Sequence, residues 1–128
     1  MFIIKKEKKL FDLATEQELS IAVMNLISIE EHLAFTAGKT RDERYIDVYN
    51  AVRKLRSKYL KRLVKNKQGE AWCVSKHLLA ATMRLMEAAV KCGAEGDKKQ
   101  ALEIFSDAID TYQLFWLLQE FGKDGSRK

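Results

Sequence analysis

The chain has 128 residues, 47% of them hydrophobic and 32% charged, with no proline and a net charge of +5 at pH 7. This length suits one domain with one core of moderate size, and the composition excludes the low-apolar signature of disorder. No apolar run reaches the roughly 20 residues that cross a bilayer, since the densest, Ile21 to Ile29, is interrupted by Asn25 and Ser28.

At the N-terminus Met1-Phe2-Ile3-Ile4 precedes the charge cluster Lys5 to Lys9, the reverse of a secretory signal, so a cytoplasmic location is expected. Thr15-Glu16-Gln17-Glu18 then has the spacing of a capping box and predicts a helix start. Leu19, Val23, Leu26, Leu33 and Ala37 recur at helical spacing, Ala22 and Ile29 widen the stripe, and Gly38 closes it, giving a helix over 15–38. Glu30 falls on that apolar stripe. A carboxylate there needs an internal partner, because an unpaired buried charge is very costly, and Arg84 or Lys76 is the expected one.

Thr40 and Glu43 form a second capping pair, followed by the stripe Tyr45, Val48, Val52, Leu55, Tyr59 and Leu63. The spacing predicts a helix over 41–66 that stops at Asn66-Lys67-Gln68-Gly69. A third helix is predicted over 70–92, with Ala71, Leu78, Leu85 and Cys92 on one line and Trp72, Leu79, Met83, Met86 and Val90 on its neighbour. Gly93 to Gly96 form a link, and Asp97 with Gln100 opens a fourth helix over 97–121 carrying Leu102, Phe105, Ile109, Tyr112 and Trp116. Residues 122–128 hold no apolar side chain and are expected to be disordered. Four helices of similar length with short links predict an all-α, single-domain, antiparallel up-down-up-down four-helix bundle over residues 1–121.

The stretch Met86 to Leu114, with Gly93, Gly96-Asp97, Ala101, Phe105 and Ala108-Ile109, resembles one tetratricopeptide-style helical hairpin. Nothing earlier repeats at that period, so the resemblance implies a hairpin and not a solenoid. The same region resembles helical domains of the HEPN class, some of which are ribonucleases. Those nucleases carry an arginine four to six residues before a histidine, a spacing that neither His32 nor His77 has, and their activity is not implied here.

Chemistry-bearing residues are sparse. The Glu-x-x-His pairs of di-iron bundles are absent, and Cys73 with His77 supplies only half of a zinc site, so no metal and no cofactor are expected. Cys73 and Cys92 lie nineteen residues apart on one predicted helix, about 28 Å, too far for a disulfide. Glu31, His32, His77 and Arg84 are the candidates for a catalytic or ligand-binding cluster.

Residues 41–70 hold ten bases against four acids, and from Arg53 to Lys67 there is no acid at all. Lys54, Lys58, Lys61 and Lys65 are spaced to line one exposed strip, with Arg62 beside it, the footprint of an RNA or DNA phosphate backbone. The plainer account is a solvated helix face whose cations oppose the partial negative charge at a helix C-terminus. Helix four, meanwhile, carries Leu114, Phe115, Trp116, Leu117 and Leu118 in succession, which point in every direction around a helix. One bundle cannot hide them all, and a homo-oligomer, most simply a two-fold dimer, is the expected cover. An alternative cover is the N-terminal arm, through Phe2, Ile3, Ile4, Leu10 and Phe11. The leading reading is a non-catalytic helical interaction protein. A nucleic-acid-binding accessory protein and a ligand-binding or catalytic bundle are the alternatives.

Overall fold

Helical spacing of apolar residues, with no proline to interrupt it, is realised as four helices in a computed structural model that describes residues 7–65 and 69–123. They are α1 (Glu7–Thr40), α2 (Arg44–Leu63), α3 (Glu70–Ala94) and α4 (Lys98–Lys123), and no strand occurs among the described residues. No described helix is long and apolar enough to cross a membrane. The expected arm residues Phe2, Ile3 and Ile4 and the link at 66–68 lie outside the described residues; of the expected tail over 122–128, Gly122 and Lys123 continue α4 and the rest lies outside the described residues.

α1 starts at Glu7, not at Thr15, so the expected capping box lies inside the helix. Nothing between Glu7 and Thr15 breaks a helix, and Leu10, Leu13 and Ala14 favour one. A Thr-x-x-Glu spacing caps only where the preceding backbone is non-helical. At the other end the helix runs through Gly38 to Thr40, whose hydroxyl donates to the Thr36 carbonyl at 2.8 Å. Arg41 takes the left-handed cap conformation expected of Gly38, with φ 62°, and its N–H donates to the Ala37 carbonyl at 2.8 Å. Asp42, not Thr40, then caps α2: its Oδ1 accepts the Arg44 N–H at 3.0 Å. The Arg44 guanidinium also donates to the same carboxylate, and together these bonds hold the Asp42 carboxyl below the usual range.

The chain divides into two compact units, Met1–Leu63 and Val64–Lys128. In the first, α1 and α2 form an antiparallel hairpin keyed by one buried ion pair. Arg56 Nε donates to Glu30 Oε2 at 2.7 Å and Arg56 Nη2 to Glu30 Oε1 at 3.1 Å, a two-pronged geometry that fits the planar guanidinium. Glu30 is therefore paired inside as expected, but with Arg56 and not with Arg84 or Lys76. The same register sets Val23 opposite Leu63, both fully buried, and Ala37 opposite Tyr49. The buried line of α2 accordingly runs through Arg56, Leu60 and Leu63, while Val48 and Leu55 of the expected stripe are exposed. Tyr49, which the spacing sets off the stripe, is half-buried.

In the second unit, Asp97 caps α4 as its spacing predicts, its Oδ1 accepting the Gln100 N–H at 3.1 Å. Gly96, at φ 99°, makes the turn that brings α4 back along α3. Two contacts fix the register. At the link end, Gly93 lies so close to α4 that a Cβ there would stand 3.6 Å from that of Ala101. At the far end, Gln119 Nε2 donates to Ser75 Oγ at 3.0 Å. Stepping by four and three between them sets Ala89 opposite Phe105, Met86 opposite Ala108, Thr82 opposite Tyr112 and Leu79 opposite Phe115. That is the 3.5-residue period of knobs-into-holes packing, and small side chains face large ones in most layers.

The buried seam thus holds Ser75, Leu79, Thr82 and Ala89 on α3, and Ala101, Ala108, Phe115 and Gln119 on α4. Fully burying Leu79 and Phe115 stabilises by roughly 1.5–3 kcal/mol each. The polar members are satisfied: Thr82 donates to the Leu78 carbonyl at 2.8 Å, and Gln119 Oε1 accepts the Lys65 N–H at 3.1 Å. Trp116 packs edge-on against Phe115 and Tyr112, with centroids 4.9 and 6.0 Å away.

Replacing Glu30 by alanine leaves the Arg56 charge buried and costs about 3–5 kcal/mol in urea unfolding, whereas Glu30→Leu combined with Arg56→Leu restores most of the loss. Arg41→Gly removes left-handed strain of roughly 1 kcal/mol and raises the midpoint of thermal unfolding.

Candidate functional site

Helix periodicity sorts the charged residues before any chemistry does. On α2, Arg56 turns inward to Glu30, leaving Lys54, Lys58, Lys61 and Arg62 exposed. Lys54, Lys58 and Lys61 occupy the side of α2 opposite its buried line, and the Lys58 ammonium sits 5.4 Å from the Tyr59 ring centroid. α2 ends at Leu63, so Lys65 lies beyond it and the expected strip of four lysines is three on the helix. Lys65 is instead fixed through its backbone to Gln119.

The candidate cluster of Glu31, His32, His77 and Arg84 is divided between the units. Glu31 and His32 lie exposed on α1, while His77 and Arg84 lie exposed on the side of α3 turned away from the seam with α4. Among the described residues no group of three or more His, Cys, Asp or Glu side chains is placed to hold a metal ion. A shallow cavity of about 340 Å³ opens at the α1–α2 link, lined by Ala37, Gly38, Arg41, Asp42, Glu43 and Ile46. Of its polar groups, the Arg41 N–H is taken by the Ala37 carbonyl and the Asp42 carboxylate by the Arg44 guanidinium.

Apolar surface is the more extensive feature. Of the five consecutive residues Leu114 to Leu118, Phe115 and Trp116 are buried, Leu118 is half-buried, and Leu114 and Leu117 are about half exposed. A second set, on the helical stripe expected of the fourth helix, is more open still. Leu102 is 69% exposed and Ile109 57%, and both share a face of α4 with half-buried Phe105. Val90 of α3, 57% exposed, lies on the same flank of the hairpin, opposite the flank marked by the Cys92–Gln100 contact at 3.6 Å.

This displacement has one cause. Close approach of two helices needs small side chains on the line between them, and Gly93, Ala101 and Ala108 take those positions. The large neighbours Val90, Leu102 and Ile109 are then turned aside. A search for large apolar residues finds them but misplaces them, whereas the seven-residue recurrence of Ala101, Ala108 and Phe115 is the signal that identifies the buried line.

The two cysteines are both free. Burial pushes the Cys92 thiol up, and the nearby Asp97 and Glu95 carboxylates add to the shift, which disfavours the reactive thiolate. Cys73 is exposed. A thiol-specific alkylating agent near neutral pH therefore modifies Cys73 before Cys92, an order that mass spectrometry of partly labelled protein reads directly. No protein-family model matches the chain, and no curated protein or solved structure matches it either.

Proposed function

We propose that this protein is a non-catalytic helical interaction module that acts as a homo-oligomer. The observation that carries the reading is the set of large, exposed apolar side chains on the α3–α4 hairpin, Val90, Leu102 and Ile109, with Leu114 and Leu117 further along α4. Scattered apolar residues are ordinary on a protein surface, but Val90, Leu102 and Ile109 lie together on one flank of a packed seam, and such a set is costly to leave in water and is typical of an interface. The expectation is a species of at least twice the 14.8 kDa chain in sedimentation velocity at micromolar concentration. A monodisperse monomer there overturns the homo-oligomer.

One observation favours a second reading, binding to a nucleic-acid backbone. The outward side of α2 presents Lys54, Lys58 and Lys61 with Arg62 alongside, and no acid follows Asp47 on that helix. Such binding weakens steeply with salt. Changing the three lysines to glutamate lowers the slope of log K against log salt by up to about 3. Indifference of the unmodified protein to mixed RNA and DNA at low salt removes this reading.

A further inference from the structure

We infer that the partner at the α3–α4 hairpin is a second copy of this chain, docked two-fold along the first half of α4 with the two α4 helices antiparallel. The inference rests on the interaction-module reading above and names its surface and occupant. Leu102, Phe105 and Ile109 follow one another at steps of three and four, so they form one short ridge, and Val90 extends it onto α3. An axis beside Phe105 brings Leu102 of each copy against Ile109 of the other and encloses both Phe105 rings. Leu102 and Ile109, 69% and 57% exposed, then cover one another.

Charge favours a copy over an unrelated partner. Lys99 and Asp110 are eleven residues apart, close to three full turns, and therefore lie on one side of α4 bordering the ridge. Both are exposed, and neither joins an ion pair among the described residues. In an antiparallel two-fold crossing, the same border of both helices meets. Lys99 of each copy consequently stands beside Asp110 of the other, twice over. The ridge is thus self-complementary in shape order and in charge, the condition that a two-fold contact imposes.

The test compares the full chain with variants confined to this exposed surface, each checked for unchanged helicity and thermal midpoint by circular dichroism. Sedimentation equilibrium of the unmodified protein gives a dimer. Ile109→Lys abolishes it, and Asp110→Lys, which sets like charges together at both borders, raises the dimer Kd by at least about tenfold. Combining Lys99→Asp with Asp110→Lys reverses both charges together and returns the Kd towards that of the unmodified dimer. A dimer that is indifferent to Ile109→Lys and to Asp110→Lys overturns this surface while leaving the homo-oligomer standing. Failure of the double reversal to rescue overturns the antiparallel arrangement, and a monomer for the unmodified chain overturns both proposals.

Discussion

Two helices can pack closely only along a line of side chains that lets their backbones approach, and the α3–α4 hairpin draws that line with small residues. Gly93 stands against Ala101, and Ala89 and Ala108 occupy successive layers between there and the Leu79–Phe115 level. Larger neighbours are displaced to the flanks as a result. The same choice that secures the hairpin therefore creates its exposed apolar ridge, so fold and candidate surface share one physical origin.

Polar groups inside the two units serve alignment more than net stability. A buried Arg–carboxylate pair gains little over well-packed apolar residues, but it tolerates only one register, because a slip along the helix separates the charges in a low-dielectric setting. Glu30 and Arg56 thereby pin α1 to α2 at the middle of their shared length. Gln119 acts comparably in the second unit, joining Ser75 on α3, the Phe115 carbonyl on its own helix and the Lys65 backbone. Each of these residues is polar at a position where periodicity alone asks for an apolar one.

The candidate surfaces were legible to different degrees. The basic run on α2 is visible in the sequence because an acid-free stretch needs no folding to be noticed, yet Arg56 within it is an internal ion-pair partner and Lys65 lies past the helix end. Leu114 to Leu118 announced a surplus of apolar area, and burial of Phe115 and Trp116 separates the two buried side chains from the exposed Leu114 and Leu117. Helical spacing groups Leu102 and Ile109 with Phe105, Tyr112 and Trp116 on one stripe, the kind that normally faces a core. Their exposure follows from the smaller Ala101 and Ala108 beside them.

By itself the sequence determined that this chain is helical and where α3 turns into α4. Local rules suffice for that: no proline, abundant helix formers, Asp97 as a cap, Gly96 where the backbone needs positive φ, and apolar recurrence every three or four residues. It also determined that Glu30 must find a partner, since burial of a lone charge is prohibitive. Only the tertiary structure decided which partner, which side of each helix faces its neighbour, and which residue adopts the left-handed cap at the end of α1. Those choices depend on how closely two backbones approach and on which side chains then meet, and spacing along one helix carries no such information.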